Sequence, residues 1–316
     1  IKKTTYNETL GTTEWTLSNG VRVVVKPTTF KQDEILFYAF SQGGRSLVAT
    51  NDLPSAALAT DVVELGGLAD MSTTDLQKAL TGKRVSLSPS INAYNETLNG
   101  SSTVKDLETM LQLNYPYFTA PRRDETAYQT LMSILESQLA NRDKNPKAAW
   151  SDSVQMMASD HSDRTIILNK ELLTKVSLDK ALEVYKTRFA NPADFIFFFV
   201  GNVDPADKAF QTQACTWLGG LKTCKKLEIA ADDKVRVSLG KNQNYFTRQM
   251  ETKTASNRIQ YTSYDMPYTL ANNLNMEMIG RILSTRYLES IREREGGSYG
   301  VGCAGWMNRH PIPYAQ

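Results

Sequence analysis

Residues 188–205 read RFANPADFIFFFVGNVDP, and this stretch decides how the chain is built. Proline has no amide hydrogen and restricts the residue before it, so Asn191-Pro192 ends the helix expected over 177–188. The run Phe195–Val200 (FIFFFV) is short and apolar throughout, which predicts a strand buried within a sheet. Asp204-Pro205-Ala206-Asp207 then offers a cap, a first-turn proline and a first-turn acid, so a further helix is expected from there to about Leu218. A strand between two helices makes the class mixed α and β.

Upstream the same alternation holds. TLSNGVRVVVKP (16–27) reads as a hairpin, with Asn19-Gly20 as the tight turn and Val21, Val23 and Val25 on one strand face. ILFYAFSQGG (35–44) is a second strand, apolar on both faces, and predicts a sheet covered by helices. A helix is expected over 54–65, with Pro54 in its first turn, Leu58, Val62 and Leu65 in one stripe, and Gly66-Gly67 as its stop. A second opens near 74–81, and RVSLSPSINAYNETLNGSSTV (84–104) has the spacing of paired strands around turns. Asp124 is a candidate cap for a helix whose buried stripe is Tyr128, Leu131, Leu135 and Leu139.

After Cys224 the chain turns polar and charged, which places a domain junction near 230–244. Beyond it RIQYTSYDM (258–266) reads as a strand. Residues 274–294 read as a long helix, with Leu274, Met278, Ile282 and Leu283 inward and Gly296-Gly297 as its stop. SYGVGCAGW (298–306) reads as another strand. The expected organisation is a complete α+β domain over 1–232 and the start of a similar, truncated one over 233–316. Ile1 is not an initiator methionine, and no basic-then-apolar leader precedes the first strand, so the natural N-terminus is expected to have been removed or to lie upstream.

Composition narrows the chemistry. With 316 residues, 41% of them apolar, the chain can bury a genuine core. Its 36 basic and 34 acidic residues leave a net charge of +2, too small for a field that gathers nucleic acid or anionic lipid. The longest strongly apolar run is FIFFFV, far short of the roughly 20 residues of a membrane-spanning helix, so no span is expected. Cys215, Cys224 and Cys303 lack the spacing of a structural zinc site. Cys215 and Cys224 are a possible disulfide in an oxidising compartment, or else two inert buried thiols.

A metallohydrolase needs about three converging ligands, and the sequence has only two histidines. His161 in ASDHSDR and His310 beside Pro311 have no second ligand at helical spacing and read as ordinary surface or loop residues. A glycine-rich phosphate cradle, a G-x-S-x-G elbow and a kinase set are all absent from the sequence. Trp150, Trp217 and Met156-Met157 read as packing.

Four segments, taken in order, resemble one half of the pitrilysin/insulysin family of zinc peptidases, whose catalytic halves carry H-x-x-E-H on a helix. They are TLSNGVRVVV, PSAALATDVVELGG, RFANPADFIFFFVGNVDP and IGRILSTRYLESIREREGGSYGV. The resemblance implies processing-peptidase-like α+β domains, each a mostly antiparallel sheet covered by helices. Here the motif-bearing helix reads SAALATDVVEL without histidine, so the match is to the zinc-less, C-terminal half, with no catalytic or metal-binding residue of its own. Zinc would then be held by a partner half bearing H-x-x-E-H, in the same chain or another subunit. The implied substrate is a peptide, and a periplasmic or secreted setting is favoured over the cytoplasm. The strand edges near 87–98 are a further candidate for holding an extended peptide.

The resemblance also implies that Arg292 and Tyr299, in IREREGGSYG, bind substrate at the partner's metal. A planar guanidinium suits a carbonyl or carboxylate, and a phenol suits a forming oxyanion. Arg294 is the rival to Arg292 if the register differs by a turn. Without the family pattern, Glu289, Arg292, Glu293, Arg294 and Glu295 would be a solvated helix end laced by ion pairs. The whole would be an endopeptidase to which this chain, inactive alone, contributes half of the substrate chamber. The alternative is a catalytically silent structural or peptide-binding subunit of the same fold.

Overall fold

The computed structural model describes residues 1–142, 144–225, 227–250 and 253–316. The described chain divides into two compact units, one of residues 1–148 and 163–231, the other of 149–162 and 232–316.

The first unit is built on a seven-stranded sheet. Strands β1 (Lys3–Asn7), β2 (Thr12–Thr16) and β3 (Arg22–Pro27) form a meander, followed by β4 (Ile35–Gln42). Helices α1 (Leu53–Ala57), α2 (Ala59–Gly66) and α3 (Thr73–Ala79) lead to the hairpin β5 (Val85–Ile91) and β6 (Asn95–Ser102). Then come α4 (Leu107–Thr119), α5 (Glu125–Arg142), α6 (Pro146–Ala158), α7 (Lys170–Thr174) and α8 (Leu178–Arg188), before β7 (Ile196–Gly201) and α9 (Lys208–Trp217). The strand order is β1-β2-β3-β7-β4-β6-β5, with β3 and β7 parallel and the other neighbours antiparallel. FIFFFV thus enters the sheet between β3 and β4. Phe197 and Phe199 are fully buried beside Val23, Val25, Phe37 and Ala39, and Phe118 of α4 meets Phe195 edge-on at 5.0 Å.

Several expectations need correction here. The 54–65 helix is two helices, because Leu58 leaves helical geometry (φ −109°, ψ 6°) and packs with Leu139 and Leu173 in a satellite core. The outer face of β4 is not covered: Leu36 is 49% and Tyr38 38% exposed. Antiparallel pairing with β6 and β7 needs no crossover helix on that side, and Tyr38 instead touches the rings of Phe40 and Phe198. Asp204 caps only a turn, accepting from the Ala206 amide, while Asp207 accepts from Ala209 and caps α9 three residues later than the Asp204 signal. Cys224 is exposed rather than buried, and Cys215 is half-buried.

Residues 43–46 lie against the tip of the β5–β6 hairpin. The amides of Gly43, Arg45 and Ser46 donate to the carbonyls of Tyr94, Asn92 and Ala93, all at 2.8 Å. Gly44 has φ +58°, and an added Cβ would lie 2.4–2.7 Å from backbone atoms of Asn92, Tyr94 and Asn95. Gly44→Ala combines left-handed strain with a backbone clash, so a loss of at least about 2 kcal/mol is expected in urea unfolding. An unchanged midpoint would refute that packing.

The second unit holds most of α6, α10 (Leu270–Tyr287), a π-helical continuation over Leu288–Arg294, and the short strands β8 (Met307–Asn308) and β9 (Tyr314–Ala315). RIQYTSYDM is not a strand: within it only Ser263 bridges, to Ala315. SYGVGCAGW is not one either. Ser284 Oγ accepts from the Cys303 amide at 2.7 Å and donates to its carbonyl at 2.6 Å, laying this segment along α10 instead of a sheet edge. Gly280 and Gly305 allow that approach, since an added Cβ on either would meet the other segment's backbone within 2.5 Å. The expected inward stripe is correspondingly wrong: Leu274, Met278 (58%) and Ile282 are exposed, and Leu283 is half-buried. The face of α10 that packs is marked by small Gly280 instead.

Candidate functional site

The helix where a zinc motif sits in catalytic halves is a core helix in this chain. Ala59, Val62 and Val63 of α2 and the preceding Leu58 are buried. Glu64, half-buried one turn after exposed Asp61, is raised from its ordinary value, chiefly by burial, and Ser88 Oγ donates to it at 2.7 Å. His161 and His310 are exposed. Among the described residues no three His, Cys, Asp or Glu side chains come together as metal ligands. The described residues do not fit a zinc ion.

Arg292 and Tyr299 do come together. Beyond Tyr287 the helix widens: the Glu295 amide donates to the Ser290 carbonyl at 3.2 Å, five residues back, the π-helical pattern. Gly296, at φ +59°, takes the left-handed turn that ends it, with its amide on the Arg292 carbonyl and that of Gly297 on Ile291. The turn carries Tyr299 back over Arg292, whose guanidinium carbon lies 4.9 Å from the centre of the phenol ring. Stacking of this kind uses the face of the guanidinium and leaves its N–H edges for a ligand. Tyr299 is 88% exposed, and Glu293 Oε1 approaches Arg292 Nε at 3.6 Å. A fork of donors and a phenolic hydroxyl are therefore presented side by side at the surface of the second unit. Arg294 is exposed and makes no such ring contact. The widened helix was not legible, because no residue type marks a π turn.

Sequence reasoning passed over a second cluster. Glu96 (1% exposed) and Arg188 (4%) are buried together in the first unit, with Arg188 Nη1 3.4 Å from Glu96 Oε1 and 2.8 Å from Glu228 Oε2. Glu96 Oε1 also accepts from the Gly44 amide at 2.8 Å, while Oε2 has no partner among the described residues. Burial pushes the Glu96 carboxyl up to about 7, against the pull of Arg188 and Gly44. The signal was present: Glu96 shares strand phase with inward Leu98, so a carboxylate occupies a core position.

The seven-stranded order and the helices packed on it are those of the M16 peptidase fold. More particularly, the chain is homologous to the PqqL-like zinc proteases. It is 25% identical over 298 residues to the probable zinc protease PqqL of Escherichia coli, covering 92% of this chain and 31% of that protein. It is 29% identical over 199 residues to a zinc protease PQQL-like protein of Arabidopsis thaliana, covering 62% and 18%. The chain thus spans a third or less of the curated relatives it matches. The crystal structure of the periplasmic protease PqqL from E. coli superposes with a TM-score of 0.75 at 21% identity, over 100% of this chain and 34% of that one. The peptidase M16 inactive domain from Pseudomonas fluorescens gives 0.64 at 12% identity, over 97% and 73%. No protein-family model matches.

Proposed function

We propose that this chain is the zinc-less, C-terminal half of a PqqL-type zinc endopeptidase. Its two units are residues 1–148 with 163–231 and residues 149–162 with 232–316. In this reading it forms half of a chamber that closes on an unfolded peptide and excludes bulk water. The metal belongs to the H-x-x-E-H half, and this half offers Arg292 and Tyr299 to the substrate carbonyl. The observation that carries the reading is the stacked, outward-facing Arg292–Tyr299 pair in a chain whose motif-bearing helix packs as core. The periplasmic E. coli protease with the same fold supports a periplasmic setting, and no described helix is long and apolar enough to cross a membrane.

Adding this chain to a separately produced zinc-bearing half should restore cleavage of an unstructured peptide that neither cleaves alone. Peptide binding without any gain in rate would favour the silent-subunit alternative. Stoichiometric zinc on this chain alone would overturn the division of labour.

A further inference from the structure

The first unit contains a fastening that peptidase chemistry does not require. The chain re-enters this unit at residue 163 and leaves it after 231, and both points are tied to residues 43–50. At re-entry, Arg164 Nη2 donates to the carbonyls of Arg45 (2.7 Å) and Val48 (3.1 Å), and Nη1 donates to Thr50 Oγ1 at 3.1 Å. At departure, the Ala231 amide donates to Ser46 Oγ at 3.0 Å. The departing segment is stitched at residues 224 and 228: the Cys224 amide to Asn191 Oδ1 (2.9 Å), the Glu228 amide to Asp194 Oδ1 (3.2 Å), and the Glu228 carboxylate to Arg188 (2.8 Å). The loop in turn rests on Glu96 through the Gly44 amide.

We propose that residues 43–50 form a clasp holding the chain both where it re-enters and where it leaves the first unit, with Arg188 tying Glu96 beneath the loop to Glu228 on the departing segment. Charge-assisted hydrogen bonds of this kind are about twice as strong as neutral ones, and although Arg188 is buried, Glu228 is 37% exposed, so water and salt weaken the pair in part. Arg188 from α8 and Glu228 from the departing segment are the charged groups facing Glu96, with the Gly44 amide, and Asp194 stands beside Glu228. Because the Glu228 charge raises the proton affinity of Glu96, a proton on Glu96 favours docking of Glu228 by the same linkage. The grip on the departing segment therefore tightens as pH falls through about 7.

Hydrogen exchange on the 316-residue chain tests this. Glu228→Ala should lower the protection of the amides at 228 and 231 by about tenfold, the effect of one charge-assisted bond, while those of Phe197 and Phe199 in β7 stay as they were. In the unaltered chain, the protection factors at 228 and 231 should be higher at pH 6 than at pH 8. Ser46→Ala, which keeps the charges, should release residue 231 alone. Unchanged protection at 228 and 231 in the Glu228 variant, or an equal loss in β7, would overturn the clasp.

Discussion

Replacing Arg292 by alanine, or Tyr299 by phenylalanine, is expected to lower peptide cleavage by the reconstituted enzyme about 10²–10³-fold, the usual cost of one preorganised oxyanion donor. The two should not behave alike. A phenolic hydroxyl that reaches the carbonyl oxygen only as it becomes an oxyanion acts on kcat, so Tyr299→Phe should leave KM nearly unchanged. A guanidinium that grips the ground-state peptide as well acts on both, and Arg292→Ala should raise KM in addition. Because the guanidinium lies over the phenol at 4.9 Å, each orients the other. The double variant should accordingly lose less than the product of the single losses. Arg292→Lys keeps the charge but not the planar fork, and should behave like alanine in kcat. Arg294→Ala is the internal control and should stay within a few-fold of the parent. Losses below a few-fold for Arg292 and Tyr299 would remove them from the reaction and leave the solvated helix end, with its Glu293 neighbour, as the correct description.

How much of this was legible depended on what each signal physically is. Turn and cap chemistry is local, so the Asn19-Gly20 hairpin and the Gly66 stop appear where the sequence puts them, and Ser177 caps α8. The stripe of α5 also holds, with Leu131 and Leu139 buried and Tyr128 and Leu135 half-buried against the core. Signals failed where the outcome depends on a partner elsewhere in the chain. β4 is apolar on both faces, but only the array of neighbouring strands determines which face is covered. RIQYTSYDM and SYGVGCAGW have strand composition, yet a strand exists only beside another, and here Ser284 captures the second segment instead. Leu274, Met278 and Ile282 form a proper helical stripe that stays exposed among the described residues. The same limit hid Glu96: the sequence places a carboxylate in strand phase but does not reveal Arg188, 92 residues later, as its counter-charge.

That buried pair sets the second large effect. Glu96 titrates near 7 in the folded chain and near the ordinary glutamate value of 4.5 when unfolded. A carboxyl whose folded value is raised adds stability that is full below about 4.5 and is lost as pH rises through about 7. Integrated over that window, the loss is about 3 kcal/mol. Glu96→Gln keeps an acceptor for the Gly44 amide but cannot ionise. Its stability relative to the parent should therefore rise between pH 5 and pH 8, by up to that amount. Arg188→Met should do the reverse. At pH 8 it removes the cation that holds the Glu96 carboxyl down, so the carboxyl takes up a proton instead, and the cost should exceed that at pH 5 by about 1–2 kcal/mol. At pH 5 the same carboxyl is neutral in both proteins, so the penalty should shrink to the lost packing and hydrogen bonds. Urea unfolding of the two variants and the parent at both pH values separates these terms. Destabilisation of the Arg188 variant that does not change with pH would mean that the arginine matters for its packing alone, and that Glu96 is not the charge it offsets.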